Sequence, residues 1–229
     1  MPKTLRTLPR RGLNAARAGF TLLELMAVIM IIGLLGAFLL PNITDAFRSA
    51  GTSACEANMR ELYRMLTSYK AANGGRWPRY EGQRFILAMW KEGEIERSEK
   101  NAKRFFCPNL QFEELVPPEE AEDVLEYLTE GWDRVGPQFT SYAGFFTNGD
   151  RSLWTKLKNA PAQVTILSDA QISHGNDIVY MTGDGEVHRL KVQELLDAGF
   201  LTEQDVEEGY LPLGPDSPIE ELRTVSNDL

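Results

Sequence analysis

The sequence has few residues of the types on which enzymes and metal sites depend. It contains two histidines and two cysteines among 229 residues, and it has neither a G-x-S-x-G nucleophile motif nor a phosphate-binding loop. Catalysis is therefore not expected, and no catalytic residue or cofactor is predicted. A zinc site is kept only as an alternative, because the sequence offers it few ligands: His174, His188, Asp169 and Asp184.

Acidic residues are absent from the first nineteen positions, which carry five basic residues. The run 20–40 that follows is apolar, with Glu24 as its only charged residue. About 20 apolar residues in a helix span the ~30 Å hydrocarbon core of a bilayer, and the basic flank predicts a cytoplasmic N-terminus. A plain signal anchor is the simplest interpretation. The carboxylate of Glu24 argues against this interpretation. Inserting a charged side chain into the membrane costs roughly 2.5–3.5 kcal/mol of free energy, and such a residue usually has a function that involves a partner.

Positive charge is scarce in the rest of the chain. Beyond residue 19 there are 19 basic residues against 33 acidic ones, a net charge of −14. An acidic surface of this kind repels nucleic acid and anionic lipid. The sequence therefore predicts no nucleic-acid partner.

The apolar run does not end in a turn, because apolar residues continue at spacings of three and four up to Tyr69. This period indicates one long helix over 20–72, with an amphipathic second half. Asn73-Gly74-Gly75 ends it. The remainder is predicted as an exported globular domain, 73–200, followed by an acidic and loosely packed tail, 201–229.

The globular domain combines short helices with strands that favour an antiparallel sheet. Predicted short helices cover 83–97, 119–129 and 192–198, and predicted strands cover 138–146, 163–167, 177–181 and 186–190. The last two strands flank Thr182-Gly183-Asp184-Gly185, which indicates a hairpin. The fold class is therefore α+β, with three or four strands burying one face against the exported half of the long helix.

The segment Gly19-Phe20-Thr21-Leu22-Leu23-Glu24 resembles the processing motif of type IV prepilins, in which Gly and Phe precede Thr-Leu-x-Glu and an apolar run. The resemblance implies a pilin-like fold and removal of the leader 1–19 by a prepilin peptidase. It also implies cleavage between Gly19 and Phe20, methylation of the new Phe20 amine, and a role in assembly for Glu24. In that role the carboxylate of Glu24 pairs with the α-amine of a neighbouring subunit.

The function implied by the resemblance is mechanical. The chain would be a structural subunit of a type IV pilus-like filament or of a type II secretion pseudopilus, a pseudopilin acting in protein transport. Its partners would be other pilin or pseudopilin subunits, the prepilin peptidase and the bacterial inner membrane, which it would cross once with its C-terminal domain exported. The alternative is a membrane-anchored exported domain that binds an ion or ligand and forms no filament.

Both cysteines, Cys55 and Cys107, follow the apolar run and so are expected on the exported side, where disulfides persist. Two cysteines allow one intramolecular bridge, which would contribute a few kcal/mol to stability. The sequence therefore predicts a Cys55–Cys107 disulfide. Two buried free thiols are the alternative.

A second resemblance lies near the C-terminus, where His174 is followed after nine residues by Asp184-Gly185. This spacing is similar to a His-x9-Asp-Gly signature of many prepilin-like proteins, whose members also carry Cys-Pro and Ser-Tyr segments like Cys107-Pro108 and Ser141-Tyr142. Asp184 and Gly185 suit a tight turn. His174 is predicted to hydrogen-bond the backbone of that turn.

Calcium is the remaining ion to consider, because secretion pseudopilins hold one in a late loop. It needs six to eight oxygen ligands. The Asp-Pro-Trp-Gly segment of that family is absent here. Candidate carboxylates are present nonetheless: Asp150, Asp169, Asp177 and Asp184.

Overall fold

The computed structural model describes residues 21–110, 123–136 and 139–227, and it describes side chains there except those of 38–48. The predicted processing residues Gly19 and Phe20 lie outside this range. The first helix, α1, covers Leu22–Ala72 and ends at the predicted glycines. The chain divides into two compact units at Thr44 and Asp45. Within the part of the chain that the structure describes, no helix is both long and apolar enough to cross a membrane.

The second unit, 45–229, contains the amphipathic half of α1. Its buried face carries Met59, Leu62, Leu66 and Tyr69, each at most 5% exposed. These residues follow one another at three- and four-residue spacings, as one face of a helix does. They pack into the main core of the unit, so the amphipathic pattern read from the sequence is present in the structure.

Short helices and single 3-10 turns connect α1 to the sheet and the strands to one another. The helices are α2 (Gln83–Lys91), α3 (Glu99–Ala102), α4 (Val124–Glu130), α5 (Ser152–Asn159), α6 (Val192–Asp197) and α7 (Glu203–Glu208). Helices α2 and α6 fall within predicted short helices, and α4 overlaps a third. The predicted helix 119–129 starts later in the structure, with Asp123 as the N-cap of α4, and 119–122 lie outside the described residues.

The sheet is antiparallel throughout and has five strands in the order β4-β3-β2-β1-β5. The strands are β1 (Tyr142–Phe145), β2 (Thr165–Asp169), β3 (Asp177–Thr182), β4 (Val187–Lys191) and β5 (Val225–Ser226). Strands β3 and β4 form the predicted hairpin. The predicted α+β, pilin-like fold class is confirmed, with five strands where three or four were expected.

Both faces of the sheet are covered. Successive side chains of a strand point to opposite faces, and along β3 Val179 and Met181 join the core with α1, whereas Ile178 joins a second core. That second core includes Leu211, Leu222 and other residues of the C-terminal segment.

The prediction of a loosely packed tail is therefore wrong for 201–227. Leu201, Ile219, Leu222 and Val225 are at most 3% exposed. The segment also starts α7 with a capping box, in which Thr202 and Asp205 bond each other's backbone N–H. The few large apolar residues of this acidic stretch are irregularly spaced, so no period revealed them. They are buried because the second face of the sheet would otherwise meet water.

Candidate functional site

The first functional feature is the start of α1, where Thr21 and Glu24 bond each other reciprocally. The backbone N–H and the hydroxyl of Thr21 donate to Oε2 of Glu24 at 2.9 and 2.8 Å, and the backbone N–H of Glu24 approaches the Thr21 hydroxyl at 3.2 Å. This is a capping box, which satisfies N–H groups that the first turn of a helix leaves free. The predicted assembly carboxylate thus has a partner within its own chain.

The second feature is the apolar surface of the first unit. The large apolar side chains between Leu22 and Leu35 are 44–77% exposed, and they occur on all sides of the helix. Exposed apolar surface of this extent marks a region that contacts other protein or lipid.

The third feature is a buried polar cluster in the second unit, formed by Cys55, Cys107, Asp169 and His174. Cys55 lies on α1, Cys107 follows the 3-10 turn Lys103–Phe105, Asp169 ends β2, and His174 lies in the loop between β2 and β3. All four residues are at most 2% exposed. Four separate stretches of chain therefore bring polar side chains to one place inside an apolar core.

The side chains of this cluster lie within contact distance of one another. Cys55 Sγ is 3.2 Å from Asp169 Oδ1, and His174 Nε2 is 3.6 Å from both Cys107 Sγ and Asp169 Oδ2. One potential ligand atom each from Cys55, Cys107 and His174 lies within 4.8 Å of the other two.

A ring of neighbours holds these side chains in place. The backbone N–H of Val179 donates to Asp169 Oδ2 at 2.8 Å, and the Tyr142 hydroxyl lies 3.4 Å from Cys55 Sγ. The Asn109 amide lies 2.8 Å from His174 Nδ1, which leaves Nε2 facing the sulfur of Cys107. Asn109 in turn packs on Gly51 of α1, where an added Cβ would lie 1.8 Å from its side-chain oxygen.

The pKa values of the cluster members are shifted in different directions. The hydrogen bond with Cys55 lowers the pKa of Cys107, and despite burial that pKa falls to about 4 with the help of His174. Burial lowers the pKa of His174, but Asp169 and Cys107 outweigh it and raise the value to about 10. Burial raises the pKa of Cys55 and of Asp169. The structure thus favours a Cys107 thiolate beside a His174 imidazolium.

A thiolate beside an imidazolium, with an aspartate on the ring, is also the arrangement of nucleophilic cysteine enzymes. Such an enzyme needs a reactive sulfur that a substrate can reach. Cys107 and His174 are 1% and 2% exposed, so the sulfur is closed to any substrate in this conformation. The cluster is suited to binding something small and permanent, such as an ion, or to holding the domain together.

The predicted bridge concerns the two sulfurs of this cluster. The structure brings Cys55 and Cys107 together, and it holds both as free, buried thiols. The proximity is what a bridge requires. The disulfide itself stays a prediction.

The prediction that His174 contacts the Asp184-Gly185 turn is wrong. The hydrogen bonds described for His174 lead to the cluster, while the turn is held by Thr182, whose hydroxyl donates to Asp184 Oδ1 at 2.6 Å and whose carbonyl accepts from Gly185 N at 2.9 Å. Gly185 has a φ of 92°, a conformation that favours glycine. Asp184 and Gly185 therefore form the turn, and His174 belongs to the buried cluster instead.

The four candidate carboxylates for calcium have separate partners. Asp150 accepts from Ser152 N, Asp177 pairs with Lys191 at 2.5 Å, and Asp184 bonds Thr182. Asp169 belongs to the buried cluster. The alternative zinc set is divided as well, since His188 stacks on Tyr180 with ring centroids 5.0 Å apart.

Sequence reasoning named all four members of the buried cluster but did not bring them together. It predicted a bridge between Cys55 and Cys107, placed His174 at a turn, and kept Asp169 with His174 only in the alternative zinc set. Cys107-Pro108 and His174 both belong to the prepilin-like signature, and their occurrence in one signature was a usable sign of contact. Asp169 offered no such sign, because an aspartate after a strand is common in loops.

Comparisons with known proteins agree with the N-terminal motif. Residues 14–40 match the family model described as the prokaryotic N-terminal methylation motif. Competence protein ComGC of Halalkalibacterium halodurans is 34% identical over 93 residues, which cover 41% of this chain and 78% of that protein. The ComG operon protein 3 homolog of Bacillus licheniformis is 26% identical over 91 residues, covering 40% of this chain and 81% of that protein. No solved structure matches the chain.

The motif, the α+β fold and these relatives define a class, that of structural filament subunits rather than enzymes. The chain belongs to the type IV prepilin-like family that includes competence protein ComGC. Members of this family assemble with other pilin subunits.

Proposed function

We propose that this protein is made as a prepilin, cut between Gly19 and Phe20 by a prepilin peptidase, methylated on Phe20 and assembled into a type IV pilus-like filament. The observation that carries the proposal is the position of the motif. The methylation-motif match covers residues 14–40, and α1 begins at Leu22, directly after the expected cut.

The exposed apolar surface of α1 supports assembly in two stages. Leu22, Met30 and Ile32 are 77%, 73% and 63% exposed, and such side chains gain roughly 25 cal/mol for each Å² removed from water. We place this segment in the bacterial inner membrane before assembly, with the C-terminal domain exported. Neighbouring helices replace the lipid once the subunit enters the filament.

Glu24 is the proposed link between processing and assembly. Its carboxylate already accepts two bonds from Thr21, and a carboxylate has room for further donors. The α-amine that cleavage creates on a neighbouring subunit would supply a positive charge. A chain that keeps its leader has no such amine at residue 20, so uncut subunits would not assemble.

The test is replacement of Glu24 in a strain that lacks the wild-type gene. Glu24→Leu and Glu24→Gln are expected to be inserted and processed normally while sheared filaments are lost. Met26→Leu is the matched control, because it changes a neighbouring exposed side chain without changing charge. Normal filament yield from Glu24→Leu would show that the carboxylate does not determine assembly, whereas a wild-type chain that enters no filament would favour a simple membrane anchor.

The system that the filament serves is a separate part of the proposal. The sequence prediction named a type IV pilus-like filament or type II secretion, whereas one relative is named a competence protein and another a ComG operon protein, and these names support a competence filament. Deletion of the gene is then expected to abolish transformation and leave secretion of exported enzymes intact. The reverse result would favour type II secretion. Because the chain beyond residue 19 has a net charge of −14, we assign contact with DNA to another subunit.

A further inference from the structure

We propose that Cys55, Cys107, His174 and Asp169 together bind one divalent metal ion of the zinc type. Zinc takes cysteine sulfur, histidine nitrogen and aspartate oxygen as ligands and prefers four of them. Calcium and magnesium prefer oxygen alone, so the two sulfurs select against them. The inference concerns the exported domain only and does not depend on the proposed filament.

The spacing of the donor atoms fits a tetrahedral site. Zinc–ligand bonds of about 2.0–2.3 Å place neighbouring corners of a tetrahedron roughly 3.3–3.8 Å apart. The structure gives 3.6 Å from Cys107 Sγ to His174 Nε2, 3.6 Å from His174 Nε2 to Asp169 Oδ2 and 3.2 Å from Cys55 Sγ to Asp169 Oδ1. Small shifts of side chains therefore suffice to bring Cys55, Cys107 and His174 around one ion. Asp169 meets Cys55 with Oδ1 and His174 with Oδ2, so its carboxylate has to rotate to present one oxygen as the fourth ligand.

Neighbouring groups orient the proposed ligands, as they do in known metal sites. Asn109 lies 2.8 Å from His174 Nδ1, so the ring presents Nε2 to the ion. With the ion bound, Nδ1 carries the proton and donates it to the Asn109 side-chain oxygen, after a half-turn of that amide. The Val179 backbone N–H, at 2.8 Å, fixes the Asp169 carboxylate.

The burial of the cluster is the strongest reason to prefer an ion over a disulfide. A bridge would involve only the two sulfurs, and it would leave Asp169 and His174, which are 1% and 2% exposed, with each other as charged partners but without a role beside the sulfurs. Buried ionisable groups are costly unless they are paired or coordinate a metal. A divalent ion offsets two of the three negative charges that two thiolates and one carboxylate carry. On binding, the Cys55 thiol proton and the His174 Nε2 proton leave to solvent.

The site would be structural and closed. Its ligands come from α1, from the segment after the first 3-10 turn, from the end of β2 and from the loop after β2. One ion would therefore fasten the long helix to the sheet. A catalytic metal would instead keep an open position that solvent could reach.

The first test measures the metal content of the full chain, purified in detergent without oxygen or chelators. Elemental analysis is expected to find one zinc per chain. Cys107→Ser and His174→Gln are expected to lose it, and His188→Gln, which changes the other histidine outside the cluster, to keep it. Metal-free wild type, or equal metal in all variants, would overturn the proposal.

A second test uses wild-type protein, so that no variant has to fold. The metal is removed with a chelator under reducing conditions and Co²⁺ is added. Absorption bands for sulfur-to-cobalt charge transfer and for tetrahedral cobalt are expected, together with a rise in melting temperature. Folded protein that gives no bands would contradict the site. A disulfide would also contradict it, because bridged sulfurs cannot act as thiolate ligands. It would be seen as a chain that resists alkylation in fresh lysate and whose intact mass is lower by the two thiol hydrogens.

Discussion

The Sγ atom of Cys55 lies 3.2 Å from Oδ1 of Asp169, although 114 residues separate them in the chain. This contact joins α1 to the end of β2 inside the core of the second unit. Around it the main core is apolar, with Met59, Leu62 and Phe105 fully buried. A polar cluster at this depth fixes which side chains face each other, because its members need particular partners and apolar side chains do not.

Thr21 separates the helix-capping role of Glu24 from its proposed role in assembly. Thr21→Val removes the hydroxyl that donates to Glu24 and accepts from its backbone N–H, at a cost of about 0.5–2 kcal/mol to the helix end. Filament yield is expected to fall less than in Glu24→Leu, and Thr21→Ser is expected to restore it. An equal loss in Thr21→Val and Glu24→Leu would assign the defect to the cap and not to the charge.

Gly51 is predicted to be necessary for the position of Asn109. Replacing a helical glycine by alanine ordinarily stabilises a helix by about 1 kcal/mol. At Gly51 the new Cβ would lie 1.8 Å from the Asn109 oxygen, so Asn109 has to move and the buried His174 Nδ1 loses its partner, at about 1–3 kcal/mol.

Thermal unfolding of the full chain measures this effect. Gly51→Ala is expected to melt at a lower temperature than wild type. Gly36→Ala is the matched control, because its Cβ meets no atom within 4 Å, and it is expected to melt at the same or a higher temperature. A Gly51→Ala protein as stable as the control would show that Asn109 is not held in this way.

The C-terminal segment is predicted to be part of the folded domain. Leu222 is 0% exposed in the second core, and removing a buried leucine side chain costs about 2–5 kcal/mol. Leu222→Ala should therefore lower the urea midpoint followed by tryptophan fluorescence. Tyr210→Ala, at a position 56% exposed, is expected to change stability by no more than ~0.5 kcal/mol. Equal midpoints for the two variants would indicate the loose tail expected from composition.

The sequence predicted the elements whose signals are local. The glycines after Ala72 end α1, and the turn residues 182–185 between two predicted strands give the β3–β4 hairpin. The sequence did not predict β5, because a strand of two residues is too short to show an alternating pattern. These residues pair with β1 only after the fold has formed. Burial of the tail was missed for a similar reason, since it depends on a sheet face made elsewhere in the chain.

The buried cluster shows the same limit at the level of a site. Cys55 and Cys107 were predicted to meet, which the structure supports, but Asp169 and His174 join them only through the sheet and the loop after β2. Spacing along the chain says little about such contacts, because the segments that carry them are distant in sequence. The reassignment of His174 from the turn to the cluster follows from these contacts.

Intact-mass measurement of the protein from membranes and sheared filaments of its native host tests the central claim most directly. The proposed function predicts a chain that lacks residues 1–19 and carries one methyl group on Phe20. Gly19→Val is expected to leave the leader in place and to yield no filaments, whereas Ala18→Val, next to the cut, should be processed. A full-length, unmethylated chain in working filaments would contradict the account.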